Sequence, residues 1–232
     1  MAEPPHLRVV SLVPSVTETL HGWGIDPVAC TRFCERPDLP HVGGTKDPDL
    51  AAIVALHADL VVMCDEENRE EDALALTAAG IAVHSCSPRT VSGVARALEG
   101  LATAVGAGVR PLPGLPAPAP VERRAFVPIW RRPWMTLSAD TYGSSLLAHL
   151  GVGNVFGGAA LRYPEVDLAG AARRRPDLVI APSEPYPFGP RHVAELSQVA
   201  PVVLVDGADL FWWGVRTPAA LERLRARLDQ VA

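Results

Sequence analysis

Short apolar runs alternate with longer amphipathic stretches along the chain. Leu60–Met63, Leu178–Ala181, Ala82–Cys86 and Val202–Asp206 are compact and rich in β-branched residues, the pattern of strands covered on both faces. Further strands are expected at Arg8–Pro14 and Phe126–Trp130. Between these runs the apolar positions fall at helical spacing. Strand, helix and strand in alternation predict βαβ units, parallel sheets and right-handed crossovers, an α/β fold.

The pattern repeats. Asp49-Leu-Ala-Ala-Ile-Val-Ala-Leu-His-Ala-Asp-Leu-Val-Val-Met63 returns 118 residues later as Asp167-Leu-Ala-Gly-Ala-Ala-Arg-Arg-Arg-Pro-Asp-Leu-Val-Ile-Ala181, with six of fifteen positions identical. Each copy reads as a helix opened by an Asp cap and followed by a buried strand. A Gly-Gly pair precedes each, at Gly43-Gly44 and Gly157-Gly158. Upstream, Leu20–Val28 and Leu147–Val155 share a second pattern, a helix ended by glycine and then a new strand. Two related Rossmann-like lobes are therefore expected.

Between the repeats, Thr90–Ala107 carries apolar residues at Val91, Val94, Leu98, Leu101 and Val105, and as a helix would span about 27 Å. It is followed by Pro111–Pro120, five prolines in ten residues, which predicts an extended and semi-stiff segment. The expected organisation is an N-terminal lobe over 1–89, a bridging helix and Pro-rich linker over 90–122, and a C-terminal lobe over 123–232.

Composition narrows the function classes. The 232 residues are 48% hydrophobic and 20% charged, a core-forming composition. No apolar run reaches the roughly 18 residues of a membrane span, so no membrane insertion is expected. A net charge of −5 argues against a nucleic-acid surface, which needs a basic stripe. The first ten residues lack a basic, apolar and small-residue leader pattern, so the chain is expected in the cytoplasm, where Cys30, Cys34, Cys64 and Cys86 are expected to be reduced thiols. A monomer is expected.

Parallel sheets bind ligands beyond the carboxyl ends of their strands. In the C-terminal half those ends carry Trp130-Arg131-Arg132-Pro133-Trp134, then Pro182–Phe188 with Tyr186 and Phe188, then a loop Asp206–Arg216 with Trp212, Trp213 and Arg216. Four of the five tryptophans lie there. Aromatic rings on loops suit a large flat ligand, and arginines can pair with its polar rim. In the N-terminal half, Phe33, Cys34, Cys64 and Cys86 follow strand ends. Soft thiolates there are weak candidates for a metal, since their spacing matches no zinc motif and buried cysteines often serve only as small apolar residues. The acidic run Asp65-Glu66-Glu67 and Glu70-Glu71-Asp72 reads as a charged helix start. Walker, dinucleotide and nucleophile-elbow motifs are absent from the sequence.

Arg8-Val-Val-Ser-Leu-Val-Pro-Ser-Val-Thr-Glu-Thr-Leu20, Val42-Gly-Gly-Thr-Lys-Asp-Pro-Asp-Leu50, Leu56–Val62 and Gly80-Ile-Ala-Val-His84 resemble the helical-backbone metal receptors, the class III substrate-binding proteins, and within them the vitamin B12-binding branch. The resemblance implies two α/β lobes joined by one helix and non-catalytic binding of cobalamin, haem or a ferric siderophore in the cleft between them, with no cofactor required. It implies ligand contacts at Phe33 and in the Phe211-Trp212-Trp213 loop, with Arg216 nearby. Relatives that dock on a transporter carry Glu on the first turn of each repeated helix; Ala51 and Ala169 stand here, which argues against docking and for a carrier or sensor. Two other functions remain open: a metal-dependent enzyme acting on a chelate through the thiols with Asp65 or Glu66, and an interaction module whose aromatic loops cover a protein partner.

Overall fold

The computed structural model describes residues 7–108 and 110–230. The first residues of the chain, 1–6, which carry part of the expectation about a leader, lie outside the described residues. The chain divides into two compact units: Met1–Pro88 with Gly93–Leu112 and Trp213–Arg216, and Arg89–Ser92 with Pro113–Trp212 and Thr217–Ala232. Thus 90–122, expected to be a segment of its own, is shared between the units, and a short return of the chain at Trp213–Arg216 completes the first.

The first unit contains β1 (Val9–Ser11), α1 (Pro14–Gly22), β2 (Ala29–Cys30), α2 (Leu50–Ala55), β3 (Leu60–Met63), α3 (Glu70–Ala78), β4 (Ala82–Ser85) and most of α4 (Val91–Ala104). Its four strands are parallel in the order β2-β1-β3-β4. The strand expected to run from Arg8 to Pro14 ends at Ser11, because Pro14 occupies the first turn of α1, where its fixed φ favours a helix and its missing N–H costs nothing. Val10, Leu12, Ile53, Val61, Met63 and Leu76 form the core. Helix α2 has six residues and buries Ile53, too short to stand without that packing.

The second unit contains β5 (Arg123–Phe126), β6 (Pro128–Trp130), β7 (Trp134–Thr136), α5 (Tyr142–His149), β8 (Val152–Asn154), β9 (Glu165–Val166), α6 (Leu168–Arg173), β10 (Leu178–Pro182), α7 (Pro190–Leu196), β11 (Val202–Val205), α8 (Gly207–Phe211) and α9 (Thr217–Asp229). Strands β8-β5-β10-β11 repeat the order of the first sheet, again all parallel. The Pro-rich residues 110–122 carry no helix or strand, and Pro113–Pro116 line a cavity of about 230 Å³ with Pro218, Leu221 and Arg225 of α9.

The duplication extends to hydrogen bonds. Asp59 accepts from the Arg8 N–H at 2.7 Å and returns its own N–H to the Arg8 carbonyl; Asp177 accepts from the Arg124 N–H at 2.6 Å and does the same. Asp49 and Asp167 cap α2 and α6 through Ala52 and Gly170. His57 and Arg175, at matching places, both adopt positive φ, 49° and 52°. Gly24 and Gly151, after the matching helices α1 and α5, both have φ of 74°, the left-handed turn glycine tolerates best.

Two expectations fail. The run Phe126–Trp130 is not one strand: β5 ends at Phe126 and β6 starts at Pro128, leaving the parallel sheet for an antiparallel one ordered β6-β7-β9. Asp206–Arg216 is not a plain loop, since the Asp206 carboxylate accepts from the Ala208 N–H at 2.9 Å and starts α8.

Candidate binding surfaces of the two units

The small antiparallel sheet sets the aromatic residues of the second unit. Between β6 and β7 the chain reverses through Arg131-Arg132-Pro133, with Arg132 at φ 70°. The turn places Trp130 and Trp134 beside the segment that follows β10. There Tyr186 meets Trp130 edge-on at 5.7 Å between ring centroids, and Phe188 stacks on Trp134 at 5.9 Å with the planes 5° apart. Tyr186 and Phe188 touch at 4.7 Å, and the His192 ring abuts both at 5.4 Å. Edge-on and stacked contacts of this kind contribute about 0.5–1.5 kcal/mol each beyond the area they bury.

Polar groups fix this cluster from beneath. The Gly189 N–H donates to His192 Nδ1 at 3.1 Å, so Nε2 carries the proton and points it at the Tyr186 hydroxyl 3.4 Å away. Burial, then Arg191 and Arg131, holds the His192 pKa below its ordinary value, so the ring is neutral at pH 7. The Arg131 guanidinium donates to Glu195 at 3.0 Å and lies 5.9 Å from the centroid of the Trp134 ring; the Glu195 carboxylate raises its pKa. Arg131, expected as a free contact for a ligand, is thereby committed to Glu195. Trp130 is 43% exposed, while Phe188 is buried at 5%. The result is a supported ring face with one indole open to water.

Trp212 and Trp213, expected to form open ligand walls, are 8% and 4% exposed and pack inside the protein. The helix α8 directly before them explains the difference: capped by Asp206, it buries Leu210 and fixes the chain that follows.

In the first unit Phe33 is 53% exposed, with the Arg32 guanidinium 4.9 Å from its ring centroid. Arg216, expected on a ligand rim, donates to both carboxylate oxygens of Glu18 on α1, at 2.9 and 3.0 Å, and its side chain is 14% exposed. Gly214, at φ 115°, packs against the Thr19 hydroxyl with no room for a side chain. Glu18, His192 and Glu195 escaped the sequence reading. Only the Gly-Pro start of α7 hinted that His192 sits on the first turn of a helix.

The thiols separate into two groups. In the strand order β1 lies between β2 and β3, so Cys34, which follows β2, is not on a strand adjacent to the one before Cys64. Cys34 neighbours Cys30, Thr17 and Thr31 instead. Cys64 accepts from the Ser87 hydroxyl at 3.4 Å; burial pushes its thiol up to about 11 and that of Cys86 up to about 12. Among the described residues no three of His, Cys, Asp and Glu gather as a metal site. Asp72 of the acidic run is buried and accepts from Arg69 at 2.9 and 3.0 Å, while Asp65 is exposed.

No family profile matches the chain. A vitamin B12-binding protein of Photorhabdus laumondii is 25% identical over 197 residues, 75% of this chain and 70% of its own. The periplasmic vitamin B12-binding protein of Vibrio cholerae superposes with a TM-score of 0.75 at 18% identity, covering 97% of this chain and 98% of that one. A periplasmic haem-binding protein of Roseiflexus sp. RS-1 gives 0.77 at 16% identity, covering 97% and 98%. The chain thus has the fold of these periplasmic binding proteins and is similar in sequence to vitamin B12-binding proteins. Ala51 and Ala169, where transporter-docking relatives are expected to carry Glu, are both exposed on the first turns of α2 and α6. Among the described residues no helix is long and apolar enough to cross a membrane.

Proposed function

We propose that this protein binds a metal chelate of the cobalamin and haem class without altering it, and that Trp130, backed by Tyr186, Trp134 and Phe188, supplies the principal contact. The observation that carries this reading is the supported ring face. An open indole rests edge-on against Tyr186, which His192 holds in place. Such a face is pre-organised, so little ordering cost is charged against binding a flat macrocycle. Relatives named for binding vitamin B12 or haem favour this ligand class over others.

The chain acts as a carrier or sensor rather than as the docking part of an importer, a role supported by exposed Ala51 and Ala169 in place of carboxylates that could pair with a transporter. A cytoplasmic setting is supported by the four free cysteines. The test is tryptophan fluorescence during titration with hydroxocobalamin, haemin and a ferric siderophore. Saturable quenching by one of them is expected. Linear, unsaturable quenching by all three, indistinguishable from free tryptophan, overturns the proposal.

A further inference from the structure

Strand β4 is the outer strand of the first sheet, and α4 runs beside it with Gly93, Ala97 and Gly100 on one helical face. Side chains this small leave a gap between strand and helix, a cavity of about 270 Å³ whose lining includes His84, Ser85 and Arg96. All of these residues belong to the first unit. A cavity of about 150 Å³ accommodates benzene, so this one has room for a small molecule. The His84 ring rests on bare helix backbone, since a Cβ added at Gly100 would stand 3.5 Å from its Cε1 and 3.7 Å from its Nε2. That Nε2 is buried without a hydrogen-bond partner among the described residues, a deficit the fold leaves uncompensated. Burial also holds the His84 pKa below its ordinary value, so the ring is neutral at pH 7. Among the described residues of the lining only Arg96 is ionised. It is exposed and makes no hydrogen bond or ion pair among the described residues, Glu99 on the next turn included. Ser87 is already committed, donating to Cys64 Sγ at 3.4 Å and accepting from the Asp65 N–H at 3.0 Å, whereas Ser85 is exposed.

We infer that the gap between β4 and α4 is a second binding site, one for a small organic oxyanion, a carboxylate or a phosphate monoester. Its charged end pairs with the Arg96 guanidinium, and its body lies between His84 and Ala97. A planar guanidinium donates two parallel N–H bonds to either group, and Arg96 gives up no existing ion pair in doing so. Rotation of the His84 ring off Gly100 turns its unmatched nitrogen towards the ligand, with Ser85 at the rim. A neutral His84 and a single cation suit a ligand with one anionic group better than a polyanion. None of these residues belongs to the aromatic face, so the site is independent of the chelate reading.

The experiment titrates the full-length protein at pH 7 with benzoate and with phenyl phosphate by isothermal titration calorimetry, using benzyl alcohol as an uncharged probe of similar size. Saturable binding of at least one anion is expected, and none of the alcohol; the tighter anion names the preferred head group. Arg96→Gln should weaken that binding about tenfold or more. Ala97→Leu fills the gap with a good helix former and should weaken it as much, with circular dichroism confirming that each variant folds. Ring resonances of ¹⁵N-histidine-labelled protein locate the site. The His84 signals, assigned with His84→Gln, should move to saturation with the anion while those of His192 in the second unit hold. The proposal is overturned if neither anion saturates up to about 10 mM, if benzyl alcohol binds as well, or if either variant keeps the wild-type Kd. Movement of His192 with His84 unmoved overturns it too. The wild-type histidine spectra decide the matter even if a variant fails to fold.

Discussion

Replacing Trp130 by alanine removes the open indole while leaving the rings beneath it. A tryptophan presents up to about 250 Å², of which 43% is exposed, leaving about 100 Å² for a ligand to cover. At about 25 cal/mol per Å², full coverage contributes about 2.5 kcal/mol and half coverage about 1.3 kcal/mol. Those values correspond to roughly 60-fold and tenfold in Kd. The Trp130–Tyr186 contact exists before and after binding and cancels from the difference. Isothermal titration calorimetry with the chelate that saturates the wild type should show a 10- to 60-fold loss, with circular dichroism unchanged. A change under twofold would refute the argument, because an indole that a ligand covers cannot be removed without cost.

Three other outcomes follow. Trp212→Ala and Trp213→Ala should act on folding, lowering stability in urea by about 3–5 kcal/mol each, as for other buried aromatic truncations; unchanged midpoints would mean that the burial is not used. Gly214→Ala should cost about 2 kcal/mol or more, since φ of 115° and the Thr19 hydroxyl both oppose a Cβ, and a wild-type melting temperature would contradict this. His192 has a folded-state pKa below its unfolded one, so the unfolded chain binds more protons in the interval between them. Its contribution is complete above the ordinary histidine pKa and is lost as pH falls through the lower folded value. His192→Gln should therefore flatten the decline in urea stability between about pH 7 and pH 5, and a variant with the same slope as wild type would refute the assignment.

Much of the fold was legible because the repeat rests on local chemistry. Asp49 and Asp167 are helix caps, and Asp59 and Asp177 tie the following strand to β1 and β5, so the residues that recur are those the backbone requires. The aromatic face was legible in part. Trp130, Trp134, Tyr186 and Phe188 were singled out from their places after strands, and the structure brings these four together. The sequence could not tell an open tryptophan from a buried one. Trp212 and Trp213 lie near a strand end as Trp130 does, yet the Asp206 cap converts the chain before them to helix and turns them inward. Nor could spacing reveal that Arg131 and Arg216 are taken by Glu195 and Glu18, carboxylates distant in the chain.

The central claim, that the Trp130 face receives a chelate, is tested most directly by indole N–H resonances of ¹⁵N-labelled protein during titration with hydroxocobalamin and haemin. The chain has five tryptophans, and Trp23, 4% exposed in the first unit, serves as the internal control. The Trp130 and Trp134 signals should shift or broaden to saturation with one of the ligands while Trp23 holds its position. Movement of Trp23 alone, or of none of the five, would contradict the account.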